Sequence, residues 1–230
     1  MYIELSLLCV FALLVTVVLV ISTSAIGSTS VRAGDAYVVD TVNKTVPDLE
    51  FEFTPKYTKE WIRRDMVRLL ADFHRYTEGY FVACGTLLGL ARHDGLIPWD
   101  DDLDVFVTEL PTYSAASGLE INEFNEIHRV TRIGSGYPFV DVVLCETVDG
   151  FVRPVSEDYR DKYPTEAYPE EAVYPLQDVP FDSVQVKAPA DPEACVKVQY
   201  GKDALTSVQE SNWGRRNLPW FYSHRIAATL

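Results

Sequence analysis

The chain has 230 residues, 47% of them hydrophobic, and a formal net charge of −14. These values allow one domain with a real core plus tails, and exclude a chain disordered throughout. Strong acidity with no Lys/Arg-rich block argues against nucleic acid as a partner, because phosphates would be repelled. Small anionic substrates stay open, since a bound divalent ion reverses the local field.

In chain order, the first feature is Leu5 to Ile21, a run without a single charge. Its length is near the minimum for a spanning helix and long for a signal-peptide core. A retained signal anchor over residues 1–25 is the first expectation, and a signal peptide cleaved near Thr23-Ser24-Ala25 the second. Both place the rest of the chain on the secretory route, in the lumen or outside the cell, and the first makes it a single-pass type II protein facing the Golgi or ER lumen. The sequon Asn43-Lys44-Thr45 fits that route. Residues 26–57, rich in Ser, Thr, Gly and Val, read as a stem or linker.

Thr58 is placed to cap a helix over about residues 59–77. Ile62, Met66, Leu69, Leu70 and Phe73 recur at helical spacing, and Gly79 is placed to end it. Arg63, Arg64, Asp65 and Arg68 lie largely off that stripe and read as a solvated face. Tyr80 to Cys84 reads as a short buried strand. It turns at Gly85-Thr86 into a helix over Leu87 to Arg92, whose first amides suit a phosphate. His93-Asp94-Gly95 is a turn, and Pro98 to Asp101 an approach loop. Leu103 to Val107 is a strand, residues 110–130 are expected to hold a helix and loop, and Pro138 to Leu144 is another strand. Residues 150–180 are expected to wrap the surface. Asp191-Pro192 starts a short helix that Gly201 ends. The three cysteines beyond the apolar run, Cys84, Cys145 and Cys195, have neither CxxC nor zinc spacing and read as small buried hydrophobes.

The informative region is acidic. Asp94, Asp100, Asp101, Asp102 and Asp104 crowd one segment, and no Lys or Arg occurs between His93 and His128. Two carboxylates about 5 Å apart repel by roughly 3 kcal/mol at an effective dielectric near 20. Such a group persists where a cation offsets the repulsion or solvent screens it. Strand alternation puts Asp102 and Asp104 on one face, with Leu103, Val105 and Val107 on the other. An acid pair on an otherwise apolar strand matches an all-oxygen site for Mg²⁺ or Mn²⁺. Asp141 is a lone acid in a second apolar strand and reaches the same ion if the two strands are neighbours.

The twenty contiguous residues from Gly85 to Asp104 resemble the signature of the LicD/fukutin-type family. They contain Gly85-Thr86-Leu87-Leu88-Gly89, the pair Arg92-His93, and Ile97-Pro98-Trp99-Asp100-Asp101-Asp102-Leu103-Asp104. Phe139-Val140-Asp141-Val142, Tyr174-Pro175-Leu176 and Tyr200-Gly201 resemble later elements of the family. The resemblance implies an α/β (α+β) nucleotidyltransferase-like domain over residues 58–215: a small mixed sheet flanked by helices, followed by a tail over 216–230. It implies transfer of a phospho-alcohol, phosphocholine or a phosphopolyol such as ribitol phosphate, from a CDP-linked donor to a glycan or glycoprotein.

Carried over by position, the resemblance makes Asp102 and Asp104 metal ligands, and Asp141 a third ligand or the base. Gly85 and Thr86 would hold a donor phosphate. Arg92 would stand with them on the donor side as a supporting residue, and Asp100 would support the metal. Two competing readings are a glycosyltransferase using a DxD pair with a nucleotide sugar, and a non-catalytic LicD-like partner or glycan-binding protein.

Overall fold

A computed structural model describes residues 50–51 and 58–208. The expected anchor over 1–25, nearly all of the stem, and the tail over 216–230 lie outside the described residues. Among the described residues, no helix is long and apolar enough to cross a membrane.

The fold is mixed α+β with few helices. In chain order it comprises β1 (Glu50–Phe51), α1 (Glu60–Tyr76), β2 (Tyr80–Val82), α2 (Cys84–His93) and β3 (Asp104–Val107). A 3₁₀ turn (Ala115–Ser117) leads into β4 (Leu119–Phe124), β5 (Ile127–Arg132), β6 (Val140–Val148) and β7 (Phe151–Pro154). Then follow α3 (Glu157–Lys162), β8 (Tyr168–Pro169), α4 (Glu170–Val173), β9 (Gln177–Phe181), β10 (Val184–Ala188), α5 (Pro192–Tyr200) and β11 (Ser207–Val208).

The apolar stripe of α1 behaves as its spacing dictates. Met66, Leu69, Leu70 and Phe73 are fully buried and Ile62 nearly so. Each such side chain stabilises the fold by about 1.5–3 kcal/mol. Thr58 does not cap this helix. Lys59 takes the cap position without a side-chain bond, and the Thr58 hydroxyl donates instead to the Asp100 carbonyl at 2.7 Å. Arg63 is no solvated residue either: it is 3% exposed. Its guanidinium donates to the carbonyls of Ile97 (2.8 Å) and Leu96 (3.1 Å). A chain segment without secondary structure must find partners for its carbonyls, and this arginine supplies them.

The main sheet runs β2-β3-β6-β5-β4, and the far half of β6 also pairs with β7, which pairs with β8. Strands β3 and β6 are parallel, and the other neighbours in this sheet are antiparallel. Helix α2 packs on β3 and α5, and α1 packs on β10 and β5. The β9–β10 hairpin forms a two-stranded sheet of its own, as does the parallel pair β1–β11.

Two further expectations are corrected. Residues 110–130 hold a 3₁₀ turn and most of the β4–β5 hairpin instead of a helix. Asn125 turns the hairpin at φ +54°, a conformation Asn tolerates better than most residues. The polar, weakly periodic β4 carries little burial signal, because Asn122, Glu123 and Phe124 face solvent. Residues 150–180 do not merely wrap the surface. Val152, Tyr168 and Val173 are fully buried, as is Phe181 just beyond, and they close the core from that side. The three described cysteines are free and buried, as expected.

Candidate metal and phosphoryl-transfer site

The site begins with β3 and β6. Their register sets Asp104 opposite Asp141. The next strand, β5, sets Arg129 opposite Asp141, and β4 sets Asn122 opposite Arg129. In-register neighbours share a face, so these four side chains form one polar row across the sheet. Flanking residues Leu103, Val105, Val140 and Val142 are fully buried and hold the strands in place.

Asp102 precedes β3 and still joins the row. One carboxylate oxygen from each of Asp102, Asp104 and Asp141 lies within 4.8 Å of the others. Asp100, Asp101 and Asp102 form a second such group. An all-carboxylate donor set suits a hard divalent cation. Burial first, then the neighbouring acids, hold Asp102 and Asp104 well above the usual carboxylate range. Asp100 is pushed up to about 6, chiefly by burial. Partly desolvated acids that repel one another are the arrangement a cation would relieve. The residues therefore fit a divalent ion.

The motif between Gly85 and Asp104 proves to be a scaffold for these acids. The Gly85 amide donates to Asp104 Oδ2 at 3.2 Å. The Asp104 amide donates to the buried Thr86 hydroxyl at 2.8 Å. A Cβ on Gly85 would sit 3.0 Å from Asp100 Oδ2 and 3.4 Å from Asp104 Oδ2, so the acids lie directly over this turn. A Cβ on Gly89 would meet the Gly95 carbonyl at 2.5 Å and the Ile97 amide at 3.3 Å. Glycine there lets the approach loop lie against α2.

Side-chain donors hold the backbone of that loop. Besides Thr58 and Arg63, the Tyr137 hydroxyl donates to the Asp101 carbonyl at 3.3 Å. His93 and Trp99 stack edge to face, with ring centroids 5.6 Å apart. Arg92 Nη1 donates to the carbonyls of Ala204 and Ser207, both at 3.0 Å. Burial lowers the Arg92 pKa to about 10, against the opposing effect of Asp100. Arg92 thus ties the chain after α5 to α2.

Sequence reasoning missed two residues of the site. Arg129 grips Asp141, with Nε to Oδ1 at 2.6 Å and Nη2 to Oδ2 at 3.2 Å. Glu166 lies in the connection between α3 and β8. It accepts from the Tyr159 hydroxyl at 2.7 Å and from Cys84 Sγ at 3.1 Å. Burial raises the pKa of Glu166, and its charge adds to the field that raises that of Asp104. The alternation of β5 could have offered Arg129. No local pattern marks Glu166, since only the fold brings residues 84, 159 and 166 together.

A mixed α+β domain carrying an acid row where two parallel strands meet is a candidate divalent-cation centre. The comparisons with known proteins narrow it. The family model described as LicD/FKTN/FKRP, nucleotidyltransferase domain, matches residues 78–191. That span covers β2 through β10 and all three acids of the row. The chain is 24% identical over 184 residues to human "Ribitol 5-phosphate transferase FKRP", covering 69% of this chain and 37% of that protein. It is 47% identical over 45 residues to "Lipopolysaccharide cholinephosphotransferase LicD" of Haemophilus influenzae, 18% of this chain and 17% of that one. It is also 29% identical over 126 residues to an uncharacterized protein of Rickettsia prowazekii, covering 53% of this chain and 47% of that protein. The chain belongs to the LicD/FKTN/FKRP family. It spans less than half the length of these curated relatives.

Proposed function

We propose that this chain transfers a phospho-alcohol, phosphocholine or a phosphopolyol such as ribitol phosphate, from a CDP-linked donor to a hydroxyl of a glycan or glycoprotein. The observation that carries the reading is the convergence of Asp102, Asp104 and Asp141 within 4.8 Å, inside the segment that matches the family. The names of the human and Haemophilus relatives support phospho-alcohol transfer in general.

Asp102, Asp104 and Asp141 would hold the ion, Mg²⁺ or Mn²⁺, with Asp100 supporting them. When bound, that ion would offset charge on the donor's pyrophosphate and on the departing CMP. In the reaction the acceptor hydroxyl oxygen bonds to the phosphorus that carries the alcohol. The bond from that phosphorus to the bridging oxygen breaks, and CMP leaves with the electron pair. The hydroxyl proton passes to a site carboxylate and then to solvent. Such chemistry asks the protein for alignment and charge stabilisation more than for a special nucleophile. The family resemblance assigns Gly85 and Thr86, at the start of α2 beside the acids, to the donor phosphate and Arg92 to the support of that end, roles they would add to holding Asp104 and the chain after α5. The apolar run Leu5–Ile21 supports a membrane tether and a lumenal location.

Titration calorimetry with CDP-ribitol, CDP-choline and UDP-sugars, with and without Mn²⁺, tests the reading. Mn²⁺-dependent binding of a CDP-alcohol, followed by CMP release with an acceptor glycan, is the expected result. Preference for a UDP-sugar would replace this reading with a glycosyltransferase. Binding of no donor would replace it with a non-catalytic family member.

A further inference from the structure

The Arg129 guanidinium is gripped by a carboxylate and packed against two rings. Its Nε and Nη2 meet both oxygens of Asp141. The ring of Phe124 lies 3.5 Å from its central carbon, and that of Phe139 lies 3.8 Å away. The ion pair is shielded, with the two side chains only 18% and 12% exposed. Phe124 ends β4, Arg129 lies in β5, and Phe139 immediately precedes β6.

We propose that Arg129 is a positioning residue for Asp141, and that the β4–β5 hairpin serves as the arm that delivers it. The inference rests on the metal reading of the site given above. An aspartate on a strand can turn its carboxylate about two bonds. A planar fork that engages both oxygens removes that freedom, and a fork packed against two rings cannot follow if the carboxylate turns. The lone pairs of Asp141 not facing Arg129 are then directed at the space shared with Asp102 and Asp104. Partners that orient a ligand in this way typically change metal affinity by about 10- to 100-fold when removed.

A simpler role makes the opposite prediction. If Arg129 were only a resident cation that neutralises Asp141, it would compete with a divalent ion, and its removal would tighten binding.

Mn²⁺ binding to the full chain, measured by calorimetry and by loss of the free-Mn²⁺ paramagnetic resonance signal, separates the two. Arg129→Ala is expected to weaken Mn²⁺ binding about 10- to 100-fold. Arg129→Lys keeps the charge without the fork and is expected to recover little of the loss. Phe124→Ala removes the ring on the solvent side, where it is 40% exposed, and is expected to cost about two- to fivefold. In an Asp141→Asn background the Arg129→Ala effect should vanish, because the two changes act through one contact. Far-UV circular dichroism checks folding, and Arg129→Lys with Phe124→Ala carry the test if Arg129→Ala does not fold. Unchanged or tighter Mn²⁺ binding in the Arg129 variants, or full rescue by lysine, would overturn the positioning role while leaving the metal site standing. Failure of the wild-type chain to take up Mn²⁺ at all overturns the metal reading, and this inference with it.

Discussion

Strands β3 and β6 and the β4–β5 hairpin contribute to one polar row by different physical means. Val105, Phe106 and Val107 are fully buried, and so is Val142. Packing on these strands sets the backbone under Asp104 and Asp141, and the carboxylates inherit those positions. The hairpin has little such anchoring. Asn122, Glu123 and Phe124 are exposed, and only Val130 of β5 is fully buried. The β5–β6 ladder sets the backbone of Arg129 opposite Asp141, and its guanidinium is aimed by side chains: an ion pair and two ring contacts. A core-anchored residue holds its place through many weak contacts, whereas one held by a fork and two rings depends on a few.

The largest expected effect lies on the core-anchored half. Asp104→Asn, and likewise Asp102→Asn, should lower divalent-dependent transfer by about a hundred- to a thousandfold, the scale of losing a key charge-stabilising group. The fold should survive, since the carbonyl oxygen of an asparagine side chain can still accept from the Gly85 amide. The sign of the pH effect follows from burial. Asp104 has its pKa raised in the folded state, so the metal-free fold is favoured when this group is protonated. That stability is lost as pH rises from the ordinary carboxylate range through the folded value. Asparagine cannot ionise, so the metal-free melting temperature of Asp104→Asn should depend less on pH than that of the wild type. Normal turnover in Asp104→Asn would remove the core strands from the chemistry.

An intermediate effect is expected at the helix behind the approach loop. Gly89→Ala puts a methyl 2.5 Å from the Gly95 carbonyl, and backbone cannot swing aside as a side chain can. A cost of about 1–3 kcal/mol is expected, as for overpacking, read by urea unfolding. A neutral result would show the loop to be less tightly seated than the acids it carries. The smallest effect belongs to the hairpin's outer surface. Glu123→Ala should change stability by less than about 0.5 kcal/mol and leave Mn²⁺ binding unchanged. A large loss there would show that the outer surface of the arm takes part in the site.

Much of the domain is legible in the sequence. The stripe of α1 announces a helix because burial requires period 3.6. Asp102 and Asp104 stand out because acids interrupt an apolar strand. Asp141 stands out for the same reason. The β4–β5 hairpin is not legible. Its strands are half-exposed, and the turn at Asn125 lacks a following glycine, so neither burial nor turn chemistry speaks clearly. Arg63 reads as part of a solvated face because its charge suggests water, yet unpaired loop carbonyls form a better partner in this fold. Gly85 and Thr86 read as phosphate ligands, and in the structure both hold Asp104.

By itself, the sequence determined the acids of the candidate site and the family to which the chain belongs, because a contiguous motif and strand alternation are local properties. Only the tertiary structure decided how the acids meet and what holds them. The parallel pairing of β3 with β6 brings Asp104 to Asp141, and the next strand brings Arg129. Register between strands distant in the chain is set by the packing of the whole core, and no single segment encodes it.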